Sequence, residues 1–244
     1  MAEMTQRGGD MAERIVAERP VRPRLVLFSG LGIPPELLSP QLHIDGVDVT
    51  AAAWPTIVAA ENIAQFAARA AEQIVASDDL YVGGVSFGGM VALEVARIVR
   101  PRGVFLIAAA KSGSALSPIV RLVALAASKL PMASLKLGLK WSPLLVRMVG
   151  RPDRVQREYL LDLAEASIAS LTHWGGRVML DWTAPPLPCP VWSVHGSDDR
   201  MIPVKNVSPD LVIPGGGHVI NVTHADVVNR FIRERILMVE RRGQ

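Results

Sequence analysis

Three residues in this chain combine a suitable type with a local sequence that fits nucleophilic catalysis: Ser86, Asp199 and His218. Ser86 stands in the pattern G-x-S-x-G, between Gly84 and Gly88. A serine hydroxyl attacks a carbonyl carbon effectively only when a base takes its proton and an acid orients that base. The histidine and the aspartate further along the chain could serve as that base and that acid. The chemistry indicated by these residues is acyl transfer through a covalent serine intermediate.

The sequence around Ser86 indicates a tight turn between a buried strand and a helix. The apolar run 80–82 precedes the turn, and apolar residues recur at helical spacing from 90 to 99. Such a turn forces the serine into an unfavourable backbone conformation, and glycines on both sides let the strand and the helix approach each other. A glycine-rich turn with an incidental serine would have the same local pattern. The residues further along the chain must therefore distinguish a catalytic serine from an incidental one.

Asp199 and His218 each follow a predicted strand. The strand at 190–195 runs into the loop that contains Asp199, and a short strand at 210–213 is followed by three glycines and His218. The glycines would let this loop aim the imidazole inward. Because the carboxyl ends of parallel strands meet at one edge of a sheet, we expect both side chains to lie beside Ser86.

In these motifs the sequence resembles the α/β-hydrolase superfamily, over nearly the whole chain from Arg24 to Glu240. The order serine, aspartate, histidine is the order of that superfamily. The chain is most similar to small single-domain serine hydrolases with a helical cap, near the esterases and thioesterases. The resemblance implies a mostly parallel sheet of about six strands flanked by helices, with a helical cap inserted before the penultimate strand. It also implies serine-dependent acyl hydrolysis without a cofactor.

The resemblance also helps to assign residues in the acid loop and in the loop after the first strand. Asp199 has the family's spacing to the Ile-Pro pair at 202–203, so we prefer it to Asp198 as the acid. By carry-over, the backbone amides of Leu31 and Phe87 would form the oxyanion hole. Ser29 stands where the superfamily usually has the histidine of His-Gly-x-Gly, which leaves the geometry of this loop open.

The other histidines have weaker claims to a role in catalysis. His195, at a strand end, is expected to be structural and to bond nearby backbone. His224 is predicted at a helix start, and His43 and His173 have no motif around them.

Strand and helix patterns predict one α/β core with an inserted helical segment. Strands are predicted at 24–28, 46–50, 80–84, 103–108, 190–195 and 210–213, and core helices at 61–76 and 225–239. We predict a disordered arm at 1–23, the hydrolase core at 24–110 and 186–241, and the helical cap at 111–185. Within the cap, helical segments are predicted at 119–130, 132–149 and 155–171.

A long stretch of the chain is free of acidic residues. From Val95 to Pro152 there is no Asp or Glu, but there are ten Lys and Arg residues. This pattern is typical of a solvated helix face, and two further interpretations are recruitment of an anionic substrate and association with a membrane surface. Nucleic-acid binding is not indicated, because the chain has no known nucleic-acid module and few aromatic residues.

Composition excludes several other classes of protein. The single cysteine, Cys189, cannot form an internal disulfide, and it is predicted to be a buried filler rather than a nucleophile. Neither a signal peptide nor an apolar run long enough to cross a membrane is evident, so we expect a cytoplasmic protein. Metal-ligand spacings and a dinucleotide fingerprint are both missing, so we expect no metal and no cofactor.

The sequence therefore favours a serine hydrolase that cleaves an ester or thioester of a small-molecule acyl substrate, which could carry an anionic group. A non-catalytic ligand-binding or signalling protein on the same fold is one alternative, for which the substitution at Ser29 is the hint. An acyltransferase that uses the same triad is the other. Acyl chain length, leaving group, pathway and oligomeric state are not encoded in any pattern that we recognise.

Overall fold

The computed structural model describes residues 22–58, 60–127, 152–167 and 169–242. In these residues six strands form one sheet in the order β2-β1-β3-β4-β5-β6, and every neighbouring pair is parallel. The strands are β1 (Arg24–Phe28), β2 (Asp48–Ala51), β3 (Leu80–Val85), β4 (Gly103–Ile107), β5 (Val191–Gly196) and β6 (Leu211–Ile213). Because all six run in one direction, their carboxyl ends lie along a single edge.

Helices connect and cover these strands. In the described residues they are α1 (Ile63–Ala71), α2 (Phe87–Val99), α3 (Pro118–Ala127), α4 (Arg154–Glu165), α5 (Ala169–Val178), α6 (Ile220–Thr223) and α7 (Ala225–Arg242). The first helix begins with a capping box, in which the Asn62 side chain accepts from the Gln65 amide and the Gln65 side chain accepts from the Asn62 amide. Asp153 and Gln156 form the same arrangement at the start of α4.

Both faces of the sheet are buried, since successive side chains of a strand point to opposite sides. Val26 and Phe28 of β1 pack with α1 and α2 on one face. Leu25 and Leu27 pack on the other face with the apolar side of α7, which consists of Val228, Phe231, Ile232 and Ile236. The sheet is therefore the middle layer of an α/β sandwich.

The predicted fold class is confirmed, and the strands lie within about two residues of their predicted positions. The helix predicted at 61–76 is shorter and ends at Ala71. The segment predicted at 155–171 is two helices, α4 and α5, and the second continues through Gly175 and Gly176 to Val178. Glycine has a low helix propensity, and the packing of α5 on the core offsets that cost. The predicted arm at 1–23 lies almost entirely, and the predicted helix at 132–149 entirely, outside the described residues.

The insertion between β4 and β5 leaves and rejoins the core at adjacent points. The Gly113 amide donates to the Trp182 carbonyl over 2.9 Å, and the Ala184 amide donates to the Lys111 carbonyl over 2.7 Å. Trp174 fastens α5 to the core, because its indole N–H donates to the Glu61 carbonyl and its ring lies 4.8 Å from that of Phe66. These contacts place α5 against the beginning of α1.

Candidate active site

Ser86 lies on a strained turn between β3 and α2. Its φ and ψ are 54° and −119°, a region that costs a residue with a side chain of the order of 1–3 kcal/mol. The conformation is held from both sides, because the Ser86 amide donates to the Ile107 carbonyl and the Ser86 carbonyl accepts from the Gly89 amide. The side chain is partly exposed. A serine held in this way presents its hydroxyl at the carboxyl edge of the sheet.

The two glycines of the G-x-S-x-G pattern allow close approach of backbone to backbone. A Cβ on Gly84 would lie 2.3 Å from the carbonyl carbon of Gly88, and a Cβ on Gly88 would lie 2.2 Å from the carbonyl oxygen of Ser29. Neither neighbour is a flexible side-chain end that could move aside. The turn therefore accepts only glycine at both positions.

We expect Gly88→Ala to lower the free energy of unfolding by about 3 kcal/mol or more, because the methyl group overlaps the backbone of the loop after β1. Gly30→Ala is the matched control. It is a buried glycine of that same loop, and its Cβ would meet nothing closer than 3.6 Å. Urea unfolding of both variants measures the difference. Equal stabilities would show that the loop can move away from α2.

His218 is brought to Ser86 by the turn after β6. Its Nε2 lies 2.8 Å from Ser86 Oγ, and its Nδ1 lies 2.8 Å from Asp199 Oδ2. Since an ionised carboxylate can only accept, Nδ1 carries a hydrogen, and the Nε2 lone pair faces the serine hydroxyl. The imidazole thus stands in the orientation that a base toward Ser86 requires.

The glycines before His218 serve packing as well as loop conformation. Gly215 adopts a left-handed conformation with φ 72°. Gly216 and Gly217 lie against Gly196 at the end of β5, where a Cβ would be 2.2 Å from the Gly216 carbonyl oxygen. The loop that carries His218 and the loop that carries Asp199 are therefore in direct backbone contact.

Asp199 is buried and its two oxygens have different partners. Oδ1 accepts from the amides of Met201 and Ile202, at 2.8 and 2.9 Å, and Oδ2 accepts from His218. Burial alone would raise the pKa of Asp199, but the charge of a protonated His218 and hydrogen bonds from His195, His218 and the Ile202 amide hold the pKa well below its usual range. Asp198 is exposed and accepts from Ser197 Oγ, so the geometry favours Asp199 as the acid.

His195 has a contact that the sequence did not reveal. As expected, it bonds backbone: its Nε2 lies 2.7 Å from the Ile202 carbonyl oxygen. The same nitrogen lies 3.1 Å from Asp199 Oδ2, so it carries a hydrogen that both oxygens attract. In the sequence, the sign of this contact is that His195 and Asp199 are only four residues apart. His224 bonds Thr223 Oγ1, and His43 is exposed.

Leu31 and Phe87, the predicted oxyanion residues, lie beside the same turn. Leu31 is the second residue of a β-turn closed by a hydrogen bond from the Ile33 amide to the Gly30 carbonyl, with Gly32 at φ 69°. Phe87 is the first residue of α2, where backbone N–H groups have no partner in the helix. Neither amide has a hydrogen-bond partner among the described residues. Both are free to bind a developing negative charge.

Helix α5 packs directly on both of these residues. A Cβ on Gly175 would lie 2.2 Å from Leu31 Cδ1 and 3.4 Å from Phe87 Cζ. The Phe87 ring lies 6.0 Å from that of Trp174, edge to face. The insertion therefore lies over the loop that carries Leu31.

Other groups singled out in the sequence are engaged elsewhere. Arg97 pairs with Glu94, Arg102 pairs with Glu240, and Arg121 donates to a backbone carbonyl, so these three basic residues have structural partners. Burial raises the pKa of the Cys189 thiol, which disfavours the reactive thiolate. The remaining members of the basic stretch include five outside the described residues, namely Lys129, Lys136, Lys140, Arg147 and Arg151.

Comparison with known proteins identifies the family. A model of the alpha/beta hydrolase family matches residues 16–231. The chain belongs to this family. Among the curated proteins, none matches this α/β-hydrolase in sequence.

Solved structures share the fold of this α/β-hydrolase at low sequence identity. A thermophilic esterase from Thermogutta terrifontis has a TM-score of 0.62 and 18% identity, over 88% of this chain and 90% of that one. A thioesterase from the prodiginine pathway of Streptomyces coelicolor has a TM-score of 0.56 and 18% identity, over 88% of this chain and 91% of that one. A bromoperoxidase from Bacillus anthracis has a TM-score of 0.63 and 17% identity, over 90% of this chain and 92% of that one. Since these proteins bear the names of different activities, the fold alone does not choose the reaction.

Among the described residues, no helix is both long and apolar enough to span a bilayer. The same residues contain no group of three or more His, Cys, Asp or Glu side chains arranged to hold a metal ion.

Proposed function

We propose that this α/β-hydrolase is a serine hydrolase that cleaves an ester or thioester through an acyl-enzyme. The observation that carries the proposal is the unbroken chain of hydrogen bonds from Ser86 Oγ through the His218 ring to Asp199, each 2.8 Å long. A serine on an ordinary surface turn has no such base. The strained backbone at Ser86 is the second support, because strain of this kind is retained where surrounding structure enforces it.

The groups present account for each step of the reaction. His218 Nε2 takes the hydroxyl proton as Ser86 Oγ attacks the carbonyl carbon, and the carbonyl oxygen becomes an anion. The amides of Leu31 and Phe87 bind that anion. His218 then gives its proton to the leaving alcohol or thiol as the bond to it breaks. Water, deprotonated by the same nitrogen, attacks the acyl-enzyme. The bond between Ser86 Oγ and the acyl carbon then breaks, His218 returns the proton to Ser86 Oγ, and the acid is released.

Asp199 keeps the imidazole in the required tautomer throughout. Its carboxylate fixes the Nδ1 hydrogen and stabilises the imidazolium that forms after proton transfer. The two backbone amides on Oδ1 hold the carboxylate in place. Because both sets of bonds favour the ionised form, Asp199 stays charged while His218 cycles between its two forms.

A fluorophosphonate probe and a panel of substrates test the proposal together. Fluorophosphonates phosphonylate an activated serine, so wild type should be labelled at Ser86 and Ser86→Ala should not. The panel contains acyl esters and acyl-CoA thioesters, with added alcohol and amine acceptors. Free acid as the product supports a hydrolase, and acylated acceptor identifies a transferase. An unlabelled wild-type protein without turnover would leave a non-catalytic binding protein as the function.

We expect kcat/KM to rise with pH through one ionisation between acidic and neutral pH. Only an unprotonated imidazole can take the proton of Ser86, and histidine ordinarily titrates near ~6.5. The pKa of Asp199 is held well below its usual range, so the carboxylate is ionised throughout this interval. A pH series of initial rates measures the effect. Activity that increases as the solution is acidified would contradict a histidine base.

A further inference from the structure

Ser29, in the loop after β1, takes part in a closed set of three hydrogen bonds that also includes Trp54 from the loop after β2. Ser29 Oγ donates to the Ile33 carbonyl oxygen over 2.5 Å. The Trp54 indole N–H lies 2.9 Å from Ser29 Oγ and 3.0 Å from the same carbonyl oxygen, so it donates to both. Each of the three polar atoms therefore contacts the other two. Ser29 itself is completely buried.

These bonds enclose the turn that carries Leu31. Ser29 and Ile33 are the residues on either side of Gly30, Leu31 and Gly32, and the hydroxyl-to-carbonyl bond ties them together. Leu31 lies between two glycines, and glycine constrains the backbone weakly. Without the bond, little in the local backbone would fix the direction of the Leu31 amide. The side chain at position 29 thus restricts a loop that the backbone alone leaves adjustable.

Trp54 connects this loop rigidly to the rest of the site. Its ring lies 5.8 Å from those of Phe28 and Phe66 and 6.1 Å from that of Phe87. Phe87 is the residue whose amide is the other proposed oxyanion donor. The indole therefore contacts the two residues that enclose the Leu31 turn through hydrogen bonds, and it contacts Phe87 through its ring.

We infer that Ser29 and Trp54 are positioning residues that hold the Leu31 amide toward the oxyanion. This inference depends on the proposed function, since it assigns a purpose to the loop only if an oxyanion forms there. The serine that replaces the family's usual histidine then maintains the oxyanion loop. A small hydroxyl fits there because the indole fills the adjoining space and completes the hydrogen bonds.

Two substitutions remove the bonds with little change of shape. Ser29→Ala deletes only the oxygen, and Trp54→Phe keeps an aromatic ring without its N–H. Each should lower kcat by about tenfold or more while KM stays within a factor of two, because a misplaced donor affects the transition state and not substrate binding. The double variant should lose little more than the worse single variant, since both changes break one interacting set.

Matched controls separate positioning from general stability. Ser39→Ala removes a similar bond, from Ser39 Oγ to the Glu36 carbonyl. Trp182→Phe removes an indole bond to Glu94 Oε1 of 2.9 Å. Neither should change kcat. All rates are expressed per active site, counted by titration with the fluorophosphonate, so that unfolded protein does not enter the comparison.

Inhibition by a boronic acid tests directly whether the two residues orient the oxyanion donor. A boronic acid forms a tetrahedral adduct on Ser86 and places an oxygen where the oxyanion would lie. If Ser29 and Trp54 orient the Leu31 amide, the inhibition constant should rise by the same factor by which kcat/KM falls. Variants that label and turn over as wild type does would overturn the inference and leave the serine hydrolase intact. A wild type that neither labels nor turns over would overturn the proposed function itself.

Discussion

Replacing Ser86 with alanine should lower kcat by about 10⁴-fold or more, because no other described hydroxyl has a hydrogen bond to His218. His218→Ala should lower kcat by a similar factor, since the hydroxyl then has no base. The two residues act as one unit, so the double variant should be no slower than the worse single variant. Steady-state rates on the best ester of the panel, at saturating substrate, measure all three.

The fold of each variant needs to be established before its activity is compared. Ser86→Ala removes one partly exposed oxygen and also relieves little of the backbone strain, so its unfolding curve should match that of wild type. Full activity in Ser86→Ala would exclude the serine mechanism altogether. Losses that add in the double variant would show that Ser86 and His218 act separately.

The second large effect is expected at Asp199. Asp199→Asn should lower kcat by about 10⁴-fold, because an asparagine in this position can donate to the imidazole and favour the wrong tautomer. Asp198→Asn is the matched control: the neighbouring residue bears the same charge, but it is exposed, and its hydrogen bonds in the described part of the chain are to Ser197 and to backbone. It should stay within a factor of three of wild type. A silent Asp199→Asn beside a crippled Asp198→Asn would reverse the assignment.

Asp199 should also affect stability at low pH. Its pKa is lowered in the folded state, so its contribution to stability is complete above the ordinary aspartate pKa of ~3.9 and is lost as the pH falls through the folded value. In Asp199→Asn this contribution is absent, so the variant should lose less stability than wild type on strong acidification. Urea unfolding in neutral and acidic buffers would show the difference.

The sheet was predictable because its signals are local. Most of the strands contain a short apolar run bounded by polar or turn residues, and alternation of strands with helices favours parallel pairing. The boundaries of α1 and α5 were less accurate. Residues 72–76 continue the helical pattern of α1, yet the helix ends at Ala71. Gly175 and Gly176 are unfavourable in a helix, yet α5 continues through them because Trp174 and Leu171 are buried against the core.

The sequence by itself was enough to predict the chemistry and the place in the fold where it would occur. The steric demands of the turn at Ser86 are met within five consecutive residues, so they can be recognised as a pattern. Chain order then places Asp199 and His218 after two later strands, and parallel pairing carries both to the same edge. The structure brings the three side chains together as this order predicts, while their catalytic roles stay a prediction for the variants above.

Only the tertiary structure decided how the site is supported. Ser29 and Trp54 are 25 positions apart, and their hydrogen bond has no local pattern. The contact of Gly175 with Leu31 and that of Gly196 with Gly216 likewise depend on where two distant segments meet. Such contacts arise from the packing of whole elements, whose distances and angles are not written in any short stretch of residues. For this physical reason the sequence could indicate a candidate nucleophile, base and acid, whereas the contacts that support their loops became visible only in the fold.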